Sequence, residues 1–109
     1  MITGGNSGLG FEAARQLAVK YGVNVVLGCR SKSKCDAAAK LINDEVATSG
    51  ISMQNKATPL LVDLADMQSV NSFVSLLGGI HVDVLFNNAG YVPDANLPVN
   101  KYGEFILLW

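Results

Sequence analysis

At 109 residues, half of them apolar and with a net charge of −1, the chain has the size of one small domain and the composition of a globular one. That balance excludes a polyanion-binding surface, so nucleic acid is not an expected partner. No apolar run reaches membrane-spanning length, no leader pattern opens the chain, and two cysteines without a nearby histidine suggest neither a zinc site nor a disulfide framework; a reducing compartment is expected, with the N-terminal side left open.

Met1-Ile2 reads as the stub of a first strand, shorter than the roughly five or six residues that a buried parallel strand supplies. A glycine-rich turn follows, Thr3-Gly4-Gly5-Asn6-Ser7-Gly8-Leu9-Gly10. From Phe11 the apolar residues Ala14, Leu17, Ala18 and Tyr21 recur at helical intervals, and Gly22 is placed to stop that helix. Asn24 to Cys29 is a short apolar run rich in valine, predicted as a buried parallel strand. Ser31 or Ser33 then caps a second helix reaching about Thr48, with Ala38, Leu41, Ile42 and Val46 on its apolar stripe. Thr58 to Leu64 is the third predicted strand, and Asp66 or the residues just after it open a third helix that closes at Gly78-Gly79. Val82 to Asn87 is the fourth strand. Beyond Asn88-Ala89-Gly90 the composition turns to proline, asparagine and aspartate, which predicts loop, and the chain closes on the apolar run from Phe105 to Trp109.

Strands alternating with helices give the order βαβαβαβ, an α/β fold with a parallel, doubly wound sheet. The expected organisation is a partial dinucleotide-binding domain over residues 1–90, followed at residues 91–109 by a loop and the start of another helix.

In this setting the glycine turn has a chemical use. Glycine lacks a Cβ and tolerates positive φ, so backbone N–H groups come close to a pyrophosphate at the positive end of the following helix. About 20 residues on, where an acid commonly binds the adenosine ribose, this chain has Cys29 and Arg30. A neutral residue followed by a guanidinium suits a 2′-phosphate, which makes NADP (NADPH) the expected cofactor and NAD the less favoured one. The alternative is a solvated charge at a helix entry, and Lys32 and Lys34 are read as surface residues. Asp63 either accepts from an adenine amino group or begins the next turn. Asn87 and Asn88 can tie neighbouring backbone segments, while Ala89 and Gly90 leave room for a ribose. His81 and the tyrosines Tyr91 and Tyr102 are read as packing or surface residues.

Thr3-Gly4-Gly5-Asn6-Ser7-Gly8-Leu9-Gly10, Asp63-Leu64 and Asn87-Asn88-Ala89-Gly90 at these spacings resemble the short-chain dehydrogenase/reductase family. Asn6-Ser7-Gly8-Leu9-Gly10, Gly28-Cys29-Arg30 and Asp63-Leu64-Ala65 are similar to its retinol dehydrogenase and protochlorophyllide reductase-like branch. The resemblance implies a Rossmann-type fold, with Thr3, Gly4, Asn6, Ser7, Gly8, Leu9 and Gly10 around the pyrophosphate and Arg30 on the 2′-phosphate. It implies Asp63 and Leu64 near adenine, and Asn87, Ala89 and Gly90 towards the ribose and nicotinamide.

The family's catalytic serine and its Tyr-x-x-x-Lys do not occur in this sequence, so no catalytic residue is assigned. The expectation is the cofactor part of an NADP(H)-dependent oxidoreductase acting on a carbonyl or alcohol, lacking most of a first strand and the catalytic half. Two alternatives stand beside it. One is a non-catalytic nucleotide-binding or regulatory short form, alone or pairing with itself or a full-length relative; the other is a truncated product that does not fold.

Overall fold

The computed structural model of the chain describes residues 1–50 and 56–90. The expectations for residues 91–109, the loop and the helix start, lie outside the described residues. The elements run β1 (Ile2–Thr3), α1 (Gly8–Tyr21), β2 (Val25–Cys29), α2 (Lys32–Thr48), β3 (Ala57–Leu61) and α3 (Met67–Leu77). The three strands are parallel and ordered β1-β2-β3, with Ile2 opposite Leu27 and Val25 opposite Ala57.

Most helix limits follow local chemistry. Gly22 ends α1 at φ 64°, its N–H donating to the Ala18 carbonyl while the Val23 N–H donates to the Leu17 carbonyl. Asp66 caps α3 by accepting from the Gln68 N–H. One limit differs from the sequence reading, since α1 begins at Gly8 and thus inside the glycine turn. Its first internal hydrogen bond, from the Phe11 N–H to the Ser7 carbonyl at 3.2 Å, sets that start.

The expected fourth strand is reduced to a bridge. Phe86 pairs in parallel with Ile2, its N–H donating to Met1 O at 2.8 Å and its carbonyl accepting from the Thr3 N–H at 3.1 Å. β1 has only two residues, so a neighbour finds no longer ladder to join. The bridge nonetheless completes the spatial order: β1 lies between β2 and the segment leading to Asn88.

The core sits mainly between the sheet and the α1–α2 pair. Ile2, Val25, Leu27 and Cys29 meet Ala14 and Ala18 of α1 and Ala38, Ile42 and Val46 of α2. Alanines on both helices let them approach the strands closely. Fully burying Leu27, which has 0% of its surface exposed, contributes about 2 kcal/mol. On the opposite face Val26, Val62 and Phe73 are buried, so both faces carry helices. Asn43 ties α2 to β3, donating to Ala57 O at 3.0 Å and accepting from Ala57 N–H at 2.8 Å. Arg15 ties α1 to α2 by holding Glu12 bidentately and reaching Glu45 at 2.6 Å. Hydrogen bonds from Arg15, and then from Gln16, hold the Glu12 carboxyl down at about 2.

The two cysteines are joined. Cys29, at the end of β2, and Cys35, in the first turn of α2, form a disulfide across a Cα separation of 5.8 Å. This corrects the expectation of unpaired thiols. A strand end and the helix it feeds bring the two Cβ atoms together, within ordinary disulfide reach, although they stand six positions apart in sequence.

Candidate dinucleotide site

The carboxyl ends of the parallel strands open into a cleft of about 860 Å³. That is the size range of a small-molecule site. Three walls form it: the glycine turn, the end of β2 with the entry to α2, and the segment after β3. A fourth side is closed by Asn88, Ala89 and Gly90.

The glycine turn is shaped by contacts a side chain would break. A Cβ on Gly4 would lie 3.0 Å from Ala89 Cα, and the residue sits at φ +66°. A Cβ on Gly10 would lie 2.3 Å from Asn88 Nδ2 and 2.6 Å from the Gly4 carbonyl oxygen. Gly8, at φ +55°, has nothing within 4 Å of its Cβ position and faces open space. Ser7 takes the N-cap position with extended backbone, but its hydroxyl makes no cap hydrogen bond, and no acid occupies the first turn. The amides of Gly8, Leu9 and Gly10 precede the first intrahelical bond, which leaves their donors to an anion or to water.

The turn is held to the last wall by a compact hydrogen-bond knot. The buried Thr3 hydroxyl accepts from the backbone N–H groups of Asn88 and Ala89, each at 3.1 Å. The Asn88 amide donates to Thr3 O at 3.0 Å and to Gly4 O at 3.4 Å. Thr3 and Gly10 therefore support the cleft from behind, while Gly4, Asn6, Ser7 and Leu9 line it. Asn87 is exposed and outside the cleft lining; its neighbour Asn88 makes the tie.

Arg30, Ser31 and Lys34 line the second wall. Lys32 forms a salt bridge with Asp36 at 2.6 Å, whereas neither Arg30 nor Lys34 has an ion-pair partner among the described residues. Two cations that are unpaired among the described residues therefore border the cleft where a strand feeds a helix. Lys34, expected on the surface, lines the cleft instead, and the sequence carries one signal for it: Lys32 has an acid four residues on, and Lys34 has Ala38 there.

Val62, Asp63, Leu64 and Ala65 form the third wall. Asp63 Oδ1 accepts from the Ala65 N–H at 3.0 Å, and Ser69 Oγ accepts from the Asp63 N–H at 2.8 Å. The carboxylate thus organises its own turn while bordering the cleft. The site can accept an elongated, anionic, partly apolar ligand, with donors at the turn, cations at one edge and small residues at Ala89 and Gly90.

A family model described as "short chain dehydrogenase" matches residues 1–105. Human retinol dehydrogenase 13 is 32% identical over 119 residues, covering 98% of this chain and 34% of that protein. The WW domain-containing oxidoreductase of Danio rerio is 40% identical over 76 residues, covering 70% of this chain and 17% of that protein. Among solved structures, menthone neomenthol reductase from Mentha piperita superposes with a TM-score of 0.70 at 32% identity, covering 83% of this chain and 31% of the reductase. The C-domain of a bacterial malonyl-CoA reductase, solved with NADP, gives 0.73 at 32% identity, covering 83% of this chain and 14% of that one. The chain thus spans about a third of the length of retinol dehydrogenase 13. No helix among the described residues is long and apolar enough to cross a membrane.

Proposed function

This chain belongs to the short-chain dehydrogenase/reductase family, on its retinol dehydrogenase-like branch, and from that premise we propose that it is an NADP(H)-binding segment without turnover of its own. The observation that carries the cofactor preference is the edge of the cleft. Arg30 and Lys34 stand there without ion-pair partners among the described residues, and Cys29 and Arg30, not an acid, stand at the end of β2 where an acid would receive a ribose hydroxyl pair or repel a 2′-phosphate.

The shape of the turn fits the group. Gly4 and Gly10 occupy places where a Cβ would collide, and Gly8 leaves open space in front of the helix end. The amides of the first α1 turn would receive the pyrophosphate, Arg30 and Lys34 would hold the 2′-phosphate, Asp63 and Leu64 would flank adenine, and Ala89 and Gly90 would admit the ribose on the nicotinamide side. When bound, the nicotinamide supplies a carbon that gives or takes hydride. What these residues do is bind and orient it. Asn88 acts indirectly, by fixing Thr3 and Gly4 against the turn.

Hydride transfer to a carbonyl also needs a proton donor, which the family takes from its tyrosine with a lysine four residues later. None of the three tyrosines, Tyr21, Tyr91 and Tyr102, has that lysine. The whole family enzyme acts on a carbonyl or alcohol, and this chain contributes its cofactor part.

Calorimetric titration of the chain with NADPH and NADH tests the reading, followed by incubation with NADPH and a panel of aldehydes and ketones. Saturable binding, tighter for NADPH, with no oxidation of the nucleotide is the expected result. Preference for NADH, or steady carbonyl reduction, would contradict it.

A further inference from the structure

Building on the NADP(H) reading, we propose that Cys29 and Cys35 form an exchangeable thiol–disulfide site that sets how tightly the cleft holds a 2′-phosphate. Its reactants are low-molecular-weight disulfides and dithiols. The pair closes a loop around the two cations that line the second wall. Cys29 itself lines the cleft; Arg30 and Ser31 follow it, and Lys34 directly precedes Cys35.

Each redox state has a place in the fold. In the disulfide, the end of β2 is bonded to the first turn of α2. Cys35 Sγ lies 3.4 Å from the Leu27 carbonyl oxygen, an acceptor already in place for the thiol that reduction would create. Both cysteines are almost fully buried, at 2% and 1% exposure, in a core of small apolar side chains that accepts either form. Reduction therefore leaves the fold standing and frees one connection, the one that spans the Arg30–Lys34 segment.

The chemistry balances without a metal or cofactor. One cysteine thiolate attacks a small disulfide, forming a mixed disulfide and releasing one small thiol. The second cysteine attacks the protein-side sulfur, and the other small thiol leaves. Two S–H bonds are exchanged for one S–S bond in the protein, and the small disulfide takes up the two electrons and two protons. A dithiol reverses the sequence. Cys29 borders the cleft, and because only 2% of its surface is exposed exchange proceeds through local opening of the β2 end and the first turn of α2.

The consequence for binding comes from preorganisation. Arg30 and Lys34 are long side chains on a short segment, and fixing both ends of that segment lowers the entropy lost when they close on a phosphate. The disulfide form is the tighter binder of NADPH, by about fivefold. NADH presents no 2′-phosphate to that segment, so its affinity changes little.

The test uses the 109-residue chain in two states, oxidised with glutathione disulfide or reduced with dithiothreitol. Each state is verified by thiol alkylation and mass spectrometry, then titrated with NADPH and NADH. The expected result is weaker NADPH binding after reduction, with unchanged NADH binding and a retained helical circular dichroism spectrum. Cys35→Ala should match the reduced chain and ignore glutathione disulfide. A bond that resists dithiothreitol in the folded chain, equal NADPH affinity in the two states, or oxidised-type affinity in Cys35→Ala would overturn the switch and leave the NADP(H) reading intact. Failure of both states to bind NADPH would overturn both.

Discussion

Arg30→Glu lowers NADPH affinity by about 100-fold and leaves NADH within about threefold of the parent chain. Two effects combine in that number. A guanidinium placed on a phosphate contributes charge-assisted hydrogen bonds of roughly 1.5–3 kcal/mol, and the replacing carboxylate adds repulsion against the same phosphate. Arg30 is exposed and has no ion-pair partner among the described residues, so its removal breaks no salt bridge described in the fold. The fold should survive, and the loss should appear in the ratio of the two nucleotides. Parallel calorimetric titrations measure that ratio. An equal loss for NADPH and NADH would show that Arg30 acts on something common to both, and the 2′-phosphate assignment would fall.

Gly10→Ala acts on the other end of the cleft and on the fold at once. Judged by helix propensity alone it should help, since alanine is better than glycine inside a helix by about 1 kcal/mol. The tertiary setting reverses the sign. The new methyl would sit 2.3 Å from Asn88 Nδ2 and 2.6 Å from Gly4 O, within the knot that joins the glycine turn to the Asn88 segment. Relieving those contacts moves the Asn88 amide off Thr3 O and Gly4 O, adding lost hydrogen bonds of about 1 kcal/mol each to an overpacking cost of about 1–3 kcal/mol. A net destabilisation of about 2–4 kcal/mol is expected in urea denaturation, with no measurable NADPH binding. Gly8→Ala is the informative neighbour: it carries the strain of φ +55° but meets nothing within 4 Å. Its stability loss should be about 1 kcal/mol. Equal losses for the two variants would mean that backbone strain, rather than the Asn88 contact, governs the turn.

What could be read from the sequence follows a physical divide. Elements set by local chemistry were legible: the α1 periodicity ending at Gly22, the Asp66 cap on α3, and the valine-rich run that became β2. So was the setting of the glycine turn, because a strand, a turn and a helix are contiguous in the chain. Features that depend on distant pairing were less so. The Val82–Asn87 run has strand composition, yet its pairing length is limited by the two residues of β1, more than 80 positions away. The Asn87-Asn88 pair offered two similar amides, and only the bridge at Phe86 decides which one turns towards Thr3. The cysteine pair escaped for a related reason. Spacing alone does not tell a strand end folding back on its own helix from two separate thiols. The Arg30 position was visible from its distance to the glycines, whereas Lys34 became part of the wall only once α2 was seen to start at Lys32.

Four separated stretches border one cleft, and amide chemical-shift mapping of the isotopically labelled chain during an NADPH titration reads whether they bind the dinucleotide together. The amides of Gly4 to Gly10, Cys29 to Lys34, Val62 to Ala65 and Asn88 to Gly90 should shift together along one saturating curve, with Arg30 and Lys34 responding less to NADH. Shifts confined to one of these stretches, or centred on the outer faces of α2 and α3, would contradict the account.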